Sequence, residues 1–312
     1  MTKEKLVAFS QAHAEPIWLQ ERRLAALAAI PDLELPTIER VKFHRWNLGD
    51  GSLTENESLA SVPDFIAIGD NPTLVQVGTQ TVLEQLPMAL IDKGVVFTDF
   101  YTALEEIPEV IEAHFGQALA FDEDKLAAYH TAYFNSAAVL YVPDHLEIAA
   151  PIEAIFLQDS DSDVPFNKHV LVIAGKESKF TYLERFESIG NASQKASANI
   201  SVEVIAQAGS QIKFSAIDRL GSSVTTYISR RGHLAKAANI EWALAVMNEG
   251  NVIADFDSDL IGQGSQADLK VVAASSGRQV QGIDTCVTNY GQHTVGHILQ
   301  HGVSFEHGTL TF

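Results

Sequence analysis

Four histidines crowd the end of the sequence. His293, His297 and His301 recur at a spacing of four, with His307 close behind. On a helix, imidazoles at that spacing share one face and can share a metal ion. The surroundings argue for strand instead, because Gly291, Gly296 and Gly302 are interspersed with β-branched residues. On a strand, residues four apart share a face but stand about 13 Å apart, too far to reach one ion through bonds of about 2 Å. They read as structural or surface histidines. The remaining candidate is Cys286, the single cysteine, in Ile283-Asp-Thr-Cys-Val287. No lysine, arginine or histidine lies within five residues of it to stabilise a thiolate, so a small buried hydrophobe is expected. One thiol excludes an internal disulfide and any site built from several cysteines of one chain. The candidate metal-binding residues are therefore Cys286, His293, His297 and His301, and no catalytic residue stands out.

Other patterns fail on their own chemistry. Ala174-Gly-Lys-Glu-Ser178 has the core of a phosphate loop, but Val170 stands where a glycine is required and Glu177 where a hydroxyl is required. Gly262-Gln-Gly264-Ser-Gln-Ala267 spells a dinucleotide fingerprint, yet strand-like Asp268-Leu-Lys-Val-Val272 follows in place of the helix that would hold a pyrophosphate. Two acidic combs, Asp159/Asp161/Asp163 and Asp255/Asp257/Asp259, resemble calcium loops. Their sixth positions are Val164 and Leu260, and their twelfth are Val170 and Gln266, so glycine and the bidentate acid are both missing. The second comb lies on an alternating strand and is expected to be a wet face.

The elements that position these residues fall into two regimes. All ten prolines lie at or before Pro165. Residues 1–165 hold 27 acids and 9 bases, whereas residues 166–312 hold 13 and 12. Glycine reverses the trend, with 6 in the first part and 14 in the second. The expected division is 1–163, an α/β region with helices, and 164–312, a β body. In the first part, helices are expected at Ile17–Ile30 after Pro16, from a Thr98-Asp99 cap through Glu109–Phe115, and at Lys125–Phe134 after Asp122-Glu-Asp124. Strands are expected at Val139–Val142 and Ile152–Leu157. The acids of this part are expected on a solvated surface.

The second part alternates. Ile212, Phe214 and Ala216 face one way, as do Ile240, Trp242, Leu244 and Val246, and Leu269, Val271 and Ala273. Gly250, Gly264, Gly277 and Gly291 follow one another at intervals of 14, 13 and 14, about one strand plus one turn. A sandwich, a barrel or a β-solenoid would each bury the apolar side. Asn-Gly and Asp-Gly hairpin signals are absent from residues 166–312, which favours the solenoid, where each strand hands over to another sheet. The net charge of −19 disfavours nucleic acid as a partner. No apolar run reaches the 18–20 residues or so that a membrane helix needs. Met1–Ala14 lacks the apolar stretch of a secretion signal, so the cytoplasm is expected.

A family resemblance adds to this reading. Tyr129-His-Thr-Ala-Tyr-Phe-Asn-Ser-Ala-Ala-Val-Leu-Tyr-Val-Pro143, continuing to Glu147-Ile-Ala-Ala-Pro151-Ile152, resembles the stretch joining the N-terminal region to the core in the SufB/SufD family of iron–sulfur cluster assembly scaffolds. Trp18–Arg23, Arg40–Trp46, Gly94–Asp99, Glu203–Gly209 and Asp284–Thr288 fit the same family, and the SufD branch fits better. The resemblance implies a right-handed parallel β-helix core. It also implies a non-catalytic scaffold role with a SufB-type paralogue and a SufC-type ATPase as partners, the iron–sulfur cluster being assembled by the full complex. The family's assembly histidine and its ATPase-binding helices find no counterpart, and the chain is expected to be C-terminally truncated, with no cluster bound by this fragment. Open strand edges at Leu310 and Phe312 would then favour a homo-oligomer. The competing reading is a β-solenoid carbohydrate-active enzyme using Asp255, Asp257 and Asp259 as clustered carboxylates. A metal-storage module using the histidine-rich end is a third.

Overall fold

The computed structural model describes residues 2–49, 51–57, 60–191 and 195–312. It opens with α1 (Lys3–Ala12) and α2 (Ile17–Ala29). Pro16 is the N-cap of α2 in extended conformation, and the helix ends before Pro31. A hairpin, β1 (Thr73–Val77) and β2 (Gln80–Gln85), and the short α3 (Met88–Ile91) follow. After β3 (Val96–Asp99) the Asp99 carboxylate accepts the N–H groups of Tyr101 and Thr102 and so caps α4 (Phe100–Glu106). The single helix expected here is two. Ile107 leaves helical geometry ahead of Pro108, whose ring excludes α conformation in the preceding residue, and α5 (Pro108–His114) starts afresh. Asp124 caps α6 (Lys125–Tyr133) through the N–H groups of Leu126 and Ala127.

From β4 (Ser136–Val142) onward the chain winds between two sheets. The remaining strands are β5 (Ile152–Asp159), β6 (Phe166–Ala174), β7 (Lys179–Ile189), β8 (Ala196–Ala206), β9 (Gln211–Arg219), β10 (Val224–Leu234), β11 (Asn239–Val246), β12 (Val252–Leu260), β13 (Gln266–Ser275), β14 (Val280–Asn289), β15 (Val295–Ser304) and β16 (Thr309–Thr311). From β5 on, odd-numbered strands lie parallel in sheet A and even-numbered strands in sheet B; at one end β1 joins sheet A parallel to β5, and β2 and β3 close the two sheets antiparallel to β1 and β4. This is a β-solenoid of about six turns. The alternation expected for the second part is borne out: Ile240, Trp242, Leu244 and Val246 all face the interior and are buried. Register stacks like on like. Tyr182, Phe214 and Trp242 lie side by side, with ring centroids 4.9 and 4.7 Å apart.

Each handover from sheet B to sheet A uses one residue in left-handed conformation. These are His145, Glu177, Gly209, Ala237, Gly264 and His293, all with φ between 54° and 73° and recurring every 27 to 32 residues. The first five donate their N–H to a carbonyl of the next turn: His145 to Lys176, Glu177 to Ala208, Gly209 to Lys236, Ala237 to Gln263, and Gly264 to Gln292. A hydrogen-bonded column of turns therefore runs up one edge. Gly264 is a turn glycine, and the fingerprint around it leads into strand β13 as its chemistry required.

Candidate functional site

Strand β10 carries two adjacent arginines, and strand alternation sends them to opposite sides of sheet B. Arg230 points into the solenoid interior and is 1% exposed. Its Nη2 donates to Glu184 Oε1 of β7 at 2.8 Å and to Asp218 Oδ1 of β9 at 2.7 Å, and Nη1 donates to Asp218 Oδ2 at 2.9 Å. Phe186 and Phe256 flank the guanidinium at 5.9 and 5.5 Å. One cation thus faces two buried carboxylates. Burial pushes the Glu184 carboxyl up to about 7 against the opposing pull of Arg230. The Tyr182 hydroxyl lies 3.4 Å from Glu184 Oε2.

Arg231 points outward, beneath the N-terminal region. It binds Asp255 at 2.5 Å, Asp257 on the same strand β12, and Glu123 Oε1, ahead of α6, at 2.8 Å. Burial pushes Asp255 up, Arg231 opposes, and Asp257 and Glu123 add to the push. Buried Tyr227, on the same side of β10, has no hydrogen-bond partner for its hydroxyl among the described residues.

The register continues this stripe across sheet B: Leu171, Glu203, Arg231, Asp257 and Cys286 stand on neighbouring strands. Glu203 is fully buried and accepts the N–H groups of Gly116, Ala118 and Leu119 at 2.7, 2.8 and 3.1 Å. His169 Nε2 lies 3.3 Å from Glu203 Oε1, His169 Nδ1 lies 3.0 Å from His130 Nε2, and His130 Nδ1 lies 3.1 Å from Asn199 Oδ1. Burial and the neighbouring His169 hold His130 well below the usual imidazole range, so it is neutral. The outward face of sheet B is therefore a polar seam that holds α6 and the loop ahead of it.

The expected candidates occupy separate places. Cys286 is exposed at the far end of the seam, its Sγ 3.5 Å from Thr288 Oγ1. This corrects the buried hydrophobe expected from its strand: Cys286 faces outward, and Ile38 and Val41 of the N-terminal region stop against Gly282. His297 and His301 sit on the exposed outer side of sheet A, across the solenoid from Cys286. His293 is not on the strand with them but fills the turn before β15. No group of three or more His, Cys, Asp or Glu among the described residues is arranged to hold a metal.

The acidic combs also resolve. The wet face expected for Asp255, Asp257 and Asp259 is corrected, because Asp255 and Asp257 are half-buried and held by Arg231. That engagement removes the free paired carboxylates a glycosidase groove requires. Asp159 closes its own turn by accepting the N–H of Asp161, and Asp161 accepts the N–H of Asn191 in the corresponding turn of the next coil. At the loop-like Gly175-Lys176, the Lys176 N–H donates to Asp144 at 2.7 Å, placing a carboxylate where a phosphate would sit. Not all acids of the first part are solvated: Glu15 is sealed against Arg23 at 2.8 Å with neither side chain exposed. The buried groups Lys168, Glu184, Glu203, Asp218 and Arg230 escaped sequence reasoning. Only the doublet Arg230-Arg231 within an alternating strand signals that one charge must face inward.

Comparison with known proteins matches residues 71–154 to the SufBD protein N-terminal region and residues 156–312 to the SUF system FeS cluster assembly SufBD core domain. The chain is 35% identical to the iron-sulfur cluster assembly protein SufD of Bacillus subtilis, over 99% of this chain and 74% of that one. The chain belongs to the SufB/SufD family. It is SufD-like within that family. An iron-sulfur cluster assembly SufBD family protein of Staphylococcus epidermidis is 21% identical over the whole chain and 70% of its own length. In this SufB/SufD-family chain the seam joins the two matched regions, since Glu123 lies in the first and Arg231 with Asp255 in the second. No helix is long and apolar enough to cross a membrane among the described residues.

Proposed function

We propose that this chain is a non-catalytic, SufD-like scaffold subunit of a cytoplasmic SUF system, pairing with a SufB-type paralogue and a SufC-type ATPase, with the iron–sulfur cluster as cargo of the complex. The 35% identity to the B. subtilis SufD over 99% of the chain carries the reading. A scaffold role accords with buried charges that are committed to one another and to backbone. The Asp144 carboxylate at Lys176 supports assigning ATP hydrolysis to a partner. The separation of Cys286 from His297 and His301 supports a cluster not held by this chain alone. Exposed Leu299, Val303, Phe305 and Phe312 support association through the last coils, with a second copy or with the SufB-type chain.

Co-expression of the tagged chain with SufB and SufC of B. subtilis tests the role, followed by affinity capture and growth of a SufD-depleted strain. Stoichiometric co-purification and restored growth are expected. Capture of neither partner together with no growth would reject the reading.

A further inference from the structure

On a chain of net charge −19, three cations that make no ion pair among the described residues share one cleft. The handovers from sheet A to sheet B stack along the edge opposite the left-handed turns. With segment 45–47 they enclose a cleft of about 980 Å³. Lys195 lines it ahead of β8, Arg278 ahead of β14, and Arg45 from the N-terminal segment, while Glu249, ahead of β12, is the one acid among the lining residues. None of the three cations has an ion pair among the described residues, whereas Arg23, Arg230 and Arg231 each have one or more. All three are exposed, and Trp46 beside Arg45 is half-buried.

The spacing selects the ligand. Strands β8, β10, β12 and β14 are successive neighbours in sheet B, about 4.8 Å apart. Lys195 and Arg278 therefore stand three ladder steps, roughly 14 Å, from each other. One phosphate or pyrophosphate cannot reach both. An extended peptide advances about 3.4 Å per residue and presents side chains i and i+4 on one face at that separation. Glu249, one step from Arg278, repels a continuous polyanion but tolerates a neutral residue between two acids.

We propose that this cleft binds an extended acidic segment of a partner protein, with carboxylates four residues apart set against Lys195 and Arg278. The inference does not depend on the assembly role.

Fluorescence anisotropy with fluorescein-labelled Gly-Asp-Ser-Gly-Ser-Asp-Gly tests it, against an isomer whose two acids are adjacent. The spaced peptide is expected to saturate and the isomer to bind more weakly. Lys195→Glu and Arg278→Glu should each weaken binding about three- to tenfold, as charge reversal of an exposed pair does, and the double reversal should abolish it. Lys176→Glu with Lys236→Glu, on the opposite handover edge, should leave it unchanged. The proposal is overturned by no binding at millimolar peptide, by equal binding of the two peptides, by displacement with equimolar pyrophosphate, or by equal losses in the two double variants.

Discussion

Arg230 neutralises part of a charge that the solenoid interior would otherwise reject. Removing it strands Glu184 and Asp218 in an apolar core, so Arg230→Met should destabilise by about 3–5 kcal/mol, the cost of orphaning buried partners. Urea denaturation measures this, and adding Glu184→Leu and Asp218→Leu to Arg230→Met should recover most of the loss. The same triad gives a pH dependence. The Glu184 carboxyl is raised from 4.5 to about 7, so between those values the folded state binds more protons than the unfolded one, and stability falls as pH rises through that window. Glu184→Gln should flatten this fall in denaturation midpoints between pH 4.5 and pH 7.5. An unchanged slope would show that Glu184 is not the titrating group. Beyond the Arg230-Arg231 doublet, which puts one charge inward, none of this was legible residue by residue. The partners of Arg230 lie 46 and 12 residues away in sequence, and pairing across a solenoid interior leaves no local trace. Cys286 was misread for a related reason: its strand gives the alternation, but which side is covered depends on Ile38 and Val41, far off in the chain.

At the scale of elements, the strands of the β body and the caps at Asp99 and Asp124 follow from alternation and side-chain chemistry, and both were readable. Helix α1 and the β1–β2 hairpin were not, because α1 has no side-chain cap and the hairpin turns at Gly78-Thr79 rather than at an Asn-Gly or Asp-Gly pair. The left-handed column offers a clean test. Gly264 has open space where a Cβ would sit, so Gly264→Ala adds only backbone strain and should cost about 1 kcal/mol. Ala237 holds the equivalent conformation with a side chain, so Ala237→Gly should be neutral or stabilising by up to about 1 kcal/mol. Thermal melts of the pair decide the matter, and shifts of the same sign in both would refute the equivalence.

Over the whole molecule, charge is distributed in two bodies of different character. Residues 1–165, which hold the helices and the first solenoid strands β4 and β5, carry 27 acids against 9 bases, and the remaining coils, residues 166–312, are close to neutral with 13 against 12. The seam around Arg231 and Glu203 ties α6 and the loop ahead of it to the solenoid. Arg231→Ala leaves Glu123, Asp255 and Asp257 facing one another without a cation. Hydrogen exchange should then quicken in Lys125–Tyr133 while β7–β9 stay protected. Uniform exchange across both would mean that the seam contributes nothing to local attachment.

The column of turns has a mechanical meaning. Each left-handed residue closes a coil of 27 to 32 residues onto its neighbour, and coil touches coil only along the axis. Pulled from the two ends of the chain, such an object should not rupture in one event. It should peel coil by coil, releasing on the order of 100 Å of contour each time, the length of about thirty extended residues. In a force–extension trace the period of the sawtooth would then report the spacing of His145, Glu177, Gly209, Ala237, Gly264 and His293 as directly as a ruler.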